Sequence, residues 1–436
     1  MRFRPKFGST LKWLIPGMGV KRWLLLLFGG ITIVSLGAGY VLVEVYRTWT
    51  FPAIFYYLTL QFIPRAWRGL LFGTVGIAAI VFAIFQLNRS LLSAFLSPGQ
   101  SSLADIIYNH RQRTRGPKVV AIGGGTGLSA LLRGLKEHTD KITAIVTVAD
   151  DGGSSGRLRR DLGLLPPGDF RSCIAALADD ESLTARLFQY RFGEGKGLNG
   201  HSFGNLFIAA MAAVTGNFER AILESSHVLN IRGRIVPSTL ENVTLWADLR
   251  EDEQEEGPDR VAGESQISKS GRPIERVFLE PDKVPGYPGA IKAILEADLI
   301  TAGPGSLFTS VLPNLLVPGI ASAIRASPAM KVYISNIATE KGETDGYTLD
   351  DHLRELEEHV GEGLFTYVLA NDNLNVQFPR HLKVDVVTPA TKRSDSYEFV
   401  TADLVDLENP WQHDPQKLSE ALMDLYWRVS AKTTAD

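Results

Sequence analysis

The chain has 436 residues, 45% of them hydrophobic and 21% charged, with 45 basic and 48 acidic side chains and a net charge of −3. This length admits one large domain with an attachment, or two domains, and the lack of a basic excess excludes a general nucleic-acid binder. The single cysteine, Cys173, excludes an intramolecular disulfide and suits a reducing compartment, where it reads as buried and inert.

Residues 1–23 form a basic N-terminus carrying Arg2, Arg4, Lys6, Lys12, Lys21 and Arg22 with no acid. Residues 24–43, "LLLLFGGITIVSLGAGYVLV", and 69–87, "GLLFGTVGIAAIVFAIFQL", are uncharged runs long enough to cross a bilayer as helices. A signal peptide does not explain the first, because a second span follows and no small-residue cleavage site separates them. The two spans read as a transmembrane hairpin over residues 24–87. Basic residues before the first span and after the second (Arg89, Arg111, Arg113, Arg115, Lys118) place both ends in the cytoplasm and the chain in a cell (inner) membrane. Arg65 and Arg68, at the outer end of the second span, run against that pattern. Residues 88–117 read as a juxtamembrane linker.

From Lys118 to about residue 430, β-rich runs alternate with helical ones. "KVVAIGG", "KITAIVTVA", "DLITAG", "KVYISNIA" and "FTYVLAND" read as strands; "LSALLRGLKEH" and "YTLDDHLRELEEHV" read as helices. The alternation predicts an α/β fold with a doubly wound, mostly parallel Rossmann-like sheet. Residues 235–280 break the rhythm and read as a small antiparallel insertion, with the acid-rich run "REDEQEEGPDR" as a solvated hairpin tip. Residues 431–436 are a tail.

The first strand runs into "GGGTGLSA". Gly125, Gly127 and Ala130 fit the G-x-G-x-x-A form, in which glycines permit a tight turn and the free N–H groups of the next helix face a phosphate. The next strand ends in "TVADDGGSSGRLRR". Adjacent strand residues point to opposite faces, so Asp150 and Asp151 reach one ligand only if the chain turns, which Gly152 and Gly153 allow. One carboxylate can take ribose hydroxyls and the other a second group or a magnesium ion, while the arginines meet a diphosphate. Beyond these, "PPGDFRS" reads as a turn with Asp169 capping a helix. "GLNGHSFGNL" places His201, Ser202 and Asn205 at a helix N-terminus, and "GPGSLFTS" is another strand–turn–helix junction. Several such junctions at one sheet edge make a ligand crevice.

In order, "GGGTGLSALLRGLK", "VTVADDGGSSGRLR", "LPPGDFR", "GHSFGNL", "PSTLENV", "GES", "ADLITAGPGSLFTSVLPNLLV" and "KGETDGYTLDDH" resemble the YvcK-type gluconeogenesis-factor family of the CofD-like superfamily. The resemblance covers roughly residues 118–425; the hairpin lies outside the common family plan, and "NIATEKGET" departs from the usual form near Asn336. It implies a nucleotide-sugar site of the UDP-N-acetylglucosamine type and a role in cell shape and envelope-precursor supply during gluconeogenic growth. The residues carried over are Gly123, Gly124, Gly125, Thr126 and Gly127; Asp150, Asp151, Gly152, Gly153, Ser154, Ser155 and Arg157; His201 and Asn205; and Gly303, Gly305 and Ser306. No catalytic residue is assigned and no cofactor beyond magnesium at Asp150 and Asp151. The partners read from the sequence are a nucleotide-sugar, the membrane, an unidentified protein of envelope-precursor metabolism and further copies of the chain.

The leading reading is a membrane-tethered, nucleotide-sugar-binding regulator. Its first alternative is a magnesium-dependent CofD-type transferase moving a phospholactyl-like group from a nucleotide diphosphate donor. An NAD(P)-dependent dehydrogenase is a third, which the first glycine loop alone would allow but the second leaves unexplained.

Overall fold

The computed structural model describes residues 20–48, 52, 54–93, 113–178, 183–194, 197–250, 260–389 and 396–433. Most of the basic N-terminus and of the linker, all but the ends of the acid-rich run, and residues 434–436 of the tail lie outside them. The chain divides into two compact units, Met1–Arg111 and Gln112–Asp436.

In the first unit, helices Val20–Thr48 and Arg65–Ser93 are joined through a short helix, Ile54–Leu58. Their stretches Gly29–Thr48 and Arg65–Ile84 are long and apolar enough to cross a membrane, and none of their residues is buried within the protein. Apolar side chains such as Tyr40, Val34 and Leu70 stand 60–80% exposed, an arrangement that water does not tolerate and lipid does. At the connection, Gln61 Nε2 donates to the Tyr46 hydroxyl at 3.2 Å.

The second unit is built on a seven-stranded, all-parallel sheet in the order β10-β9-β8-β7-β1-β2-β3. Its strands are β1 (Val119–Gly123), β2 (Ile142–Val146), β3 (Arg234–Pro237), β7 (Leu299–Ala302), β8 (Met330–Ile334), β9 (Tyr367–Asn371) and β10 (Glu398–Ala402). β1 and β7 are buried at every residue, as expected of central strands covered by helices on both faces. Ile122 and Ile145 are fully buried there, and truncating such a residue to alanine costs about 2–5 kcal/mol. The remaining strands, β4 (Thr244–Leu249), β5 (Arg260–Ala262) and β6 (Ile274–Glu280), form a separate antiparallel sheet in the order β5-β4-β6. The alternating burial along β4 marks a sheet with only one covered face.

Two boundaries differ from the sequence reading. Residues 235–237 were placed in the antiparallel insertion, but they belong to β3 and pair in parallel with β2; the insertion starts at Thr244. The reason is local: Ile235 and Val236 are consecutive apolar residues, both buried, which is the pattern of a strand covered on two faces. Arg113 likewise packs with the second unit rather than serving as linker, pairing with Glu137 and Asp140. Strand β10, half-buried at the sheet edge, was not anticipated at all.

The topology fixes where a site can form. From β1 the chain winds through β2 to β3 at one edge, then returns to β7 beside β1 and winds outward the other way. The reversal between β1 and β7 is the switch point of a doubly wound sheet, and the loops after those two strands diverge around a crevice.

Candidate functional site

Helix Gly125–Leu135 starts one residue after β1, with Gly125 at φ +61°. A Cβ on Gly127 would lie 2.4 Å from the Pro304 carbonyl oxygen and 2.9 Å from Gly305 N, so the first turn of this helix rests directly on the loop after β7. On the other side, a Cβ on Gly124 would lie 2.4 Å from Asp169 Oδ2. These two glycines are therefore required by close approach. The loop after β7 is fixed in turn: Gly305 N donates to Asn336 Oδ1 at 2.9 Å, and Ser306 Oγ caps the next helical turn by accepting from Thr309 N at 3.2 Å.

Between these loops opens a cleft of about 440 Å³, a size that suits a small-molecule ligand. Gly124, Gly125, Thr126, Gly127, Gly305 and Ser306 line it, with Ser310, Asn336, Glu340 and Lys341. Leu382, Val384 and Trp411 form an apolar wall beyond the loop after β8.

Carboxyl groups crowd the cleft. Glu264 lines it, and burial together with Asp150, Asp169, Glu343 and Asp151 pushes its carboxyl up to about 9; its Oε2 is buried without a partner. Burial and the nearby Asp150 push Asp169 up to about 7, although it accepts a hydrogen bond from the Gly125 backbone. Asp150 is raised by burial, against the opposing pull of hydrogen bonds from Gly152 N (2.8 Å) and Ser155. Burial and Glu343 push Glu340 up to about 8. Glu343, also raised by burial, accepts from Ser268 at 2.6 Å and from Ser306 and Thr309. Near neutral pH Glu264 and Glu340, which line the cleft, hold their protons and meet a ligand as neutral hydrogen-bond donors.

The structure divides the sequence-predicted residues into three groups. The glycine loop with Gly305 and Ser306 lines the cleft, while Gly123 ends β1 and Gly303 follows β7. Asp150 sits with the carboxyl cluster, whereas Asp151 Oδ1 accepts from Ser265 N at 2.8 Å and ties this loop to helix Glu264–Ser270. Gly152 and Gly153 start helix Gly153–Leu162 as its N-cap and first residue.

Ser154, His201 and Asn205 form a buried knot of their own. Ser154 Oγ meets His201 Nδ1 at 2.9 Å, Asn205 Nδ2 donates to Ser154 Oγ at 3.0 Å, and Ser202 caps helix Phe203–Thr215. Burial and Arg157 lower the His201 pKa, which keeps it neutral. Arg157 donates to the Asn199 carbonyl at 2.9 Å and holds the 197–200 turn, and Arg159 donates to the Val243 carbonyl. Ser155 is buried beside Asp150.

Asp169 does not cap its own helix. That helix, Gly168–Leu177, has Pro167 at its N-cap, and the Asp169 carboxyl crosses to the glycine loop instead. Asn336, Glu340, Glu343, Glu264 and Trp411 were not singled out as site residues. They come from segments more than 100 residues from the glycine turn; "GES" and "KGETDGYTLDDH" contain Glu264 and Glu343, but nothing in those stretches alone gives them a place in the cleft.

Fold and crevice define a doubly wound α/β domain of Rossmann-like topology. Residues 119–417 match the family described as 2-phospho-L-lactate transferase CofD, and the chain belongs to that family, within its gluconeogenesis-factor (YvcK-type) group. The gluconeogenesis factor of Bacillus subtilis is 45% identical over 71% of this chain and 98% of its own length. A Nostoc sp. protein carrying the gluconeogenesis-factor name is 43% identical over 97% of this chain and 93% of its own, so the N-terminal region is shared by some relatives. A crystal structure of a UPF0052-family protein from Bacillus halodurans superposes with a TM-score of 0.64 at 44% identity, covering 71% of this chain and 99% of that one.

Proposed function

We propose that this protein is a membrane-tethered regulator that binds a nucleotide-sugar of the UDP-N-acetylglucosamine type. Its role lies in carbon partitioning, envelope-precursor supply and cell shape, exerted through a protein partner of that metabolism. The two N-terminal helices span the cell membrane, with both ends and the large unit in the cytoplasm. The observation that carries the reading is the cleft at the strand reversal. Its lining includes backbone N–H groups and hydroxyls suited to a diphosphate, and carboxyl groups that offer hydrogen bonds to sugar hydroxyls.

A second reading, the CofD-type transferase, draws on the carboxyl cluster. Among the described residues no three metal-ligating side chains converge on one point. Asp150, Asp169 and Glu264 are nonetheless hard oxygen donors beside the glycine loop, and the unpartnered Glu264 Oε2 leaves a place for a further bond. They do not form a ready magnesium site, so an ion there would have to be held largely by the diphosphate it arrives with. Asp151, committed to Ser265 N, is the weaker donor of the original pair.

The test is incubation of the full chain in detergent with magnesium and UDP-N-acetylglucosamine, followed by chromatography. Recovery of the intact nucleotide-sugar at enzyme-stoichiometric concentrations, alongside saturable binding, fits the regulator. Release of UMP or UDP would move the assignment to the transferase.

A further inference from the structure

We propose that Trp411 is the stacking platform for the nucleobase of the ligand bound in the cleft that the glycine loop also lines; this rests on the nucleotide-sugar reading above. The lining of the cleft is of two kinds. Gly124–Gly127 and Ser306 offer backbone and hydroxyl groups; Leu382, Val384 and Trp411 offer apolar surface.

The sheet sets the distance between them. β1, β7 and β8 are consecutive neighbours, so the loop after β8 lies about 10 Å along the edge from the glycine loop. Segment 382–387 lies alongside that loop: Ala338 bridges Val386, and Thr339 N donates to the Asp385 carbonyl at 2.8 Å. Leu382 and Val384 are thereby placed beside the loop after β8, two strands from the glycine loop.

Trp411 is presented on a fixed turn. Asp406 N donates to the Gln412 carbonyl at 3.0 Å, Asp406 Oδ1 accepts from Glu408 N and Asn409 N, and Val405 bridges His413. Its ring is half-buried, and among the described residues it has no aromatic neighbour and its indole nitrogen no hydrogen-bond partner. Burial lowers the adjacent His413 to about 4, so that imidazole carries no charge at neutral pH. A flat, uncharged indole on a hydrogen-bonded turn that lines a ligand cleft is what a base needs for stacking, and such contacts tolerate any base because each has a π-face.

The experiment is equilibrium titration of the full chain in detergent with UDP-N-acetylglucosamine, UDP, N-acetylglucosamine-1-phosphate and pyrophosphate, for wild type, Trp411→Ala and Trp411→Phe. Trp411→Ala should weaken UDP and UDP-N-acetylglucosamine roughly 5- to 150-fold and leave the two base-free ligands within about twofold. Trp411→Phe should retain most of the nucleotide affinity while losing the UDP-induced quenching of tryptophan fluorescence expected of wild type. Unchanged UDP binding in Trp411→Ala, or an equal loss for base-free ligands, overturns the stacking role alone. Failure of the wild type to bind any of the nucleotides overturns the nucleotide reading and this role with it.

Discussion

Gly127 is where the two glycine loops meet, and Gly127→Ala is the sharpest single perturbation of the cleft. The new Cβ would stand 2.4 Å from the Pro304 oxygen and 2.7 Å from its carbonyl carbon. Both are main-chain atoms, so no side chain can swing aside. Restoring ordinary contact requires the loops to part by about 1 Å, and overpacking of this kind costs about 1–3 kcal/mol. A phosphate bridging the loops then loses at least one charge-assisted hydrogen bond, worth about 1.5–3 kcal/mol, which corresponds to an affinity loss of roughly 10- to 150-fold. Calorimetric titration with UDP-N-acetylglucosamine and a thermal melt read both effects, with Tm falling by a few degrees. Gly163→Ala is the control. It sits at φ +66° with nothing within 4 Å of its Cβ, so it carries backbone strain without touching the cleft. Equal affinity for Gly127→Ala and wild type, or an equal loss in Gly163→Ala, would refute the packing argument.

Glu264→Gln should raise Tm at pH 8 and flatten the decline in stability with pH. The folded carboxyl ionises near pH 9 and the unfolded one near 4.5, so the folded state holds an extra proton across that window and stability falls as pH rises through it; melts at pH 5 to 9 check this. Asn336→Ala removes the acceptor of the Gly305 N–H and should cost about 1–3 kcal/mol in a denaturant titration, with weaker nucleotide-sugar binding. Deleting residues 1–111 should move the protein from the carbonate-resistant membrane pellet to the supernatant, because both apolar stretches are removed.

The parallel sheet was legible because its strands are near-continuous apolar runs bounded by glycine turns, as at "KVVAIGG" and "DLITAG". β10 was not, because an edge strand half-exposed on its surface alternates too weakly to stand out. The glycine loop announced its role through local spacing. The fate of the acid pair could not be read: neighbouring aspartates look equivalent in sequence, yet one turns to Asp169 and Glu264 while the other binds Ser265 N. His201 and Asn205 look like ligand residues at a helix start, but their side chains close on Ser154. Residues such as Asn336 and Trp411 reach the cleft only through long-range topology, which no local pattern encodes.

The central claim is that the cleft at the β1–β7 reversal holds a nucleotide-sugar. Isothermal titration of the full chain with UDP-N-acetylglucosamine, with NAD in parallel, tests it most directly. The account predicts saturable one-site binding of the nucleotide-sugar that Gly127→Ala weakens at least tenfold, with no comparable response to NAD. Binding of NAD but not the nucleotide-sugar, or nucleotide-sugar binding indifferent to Gly127→Ala, would contradict it.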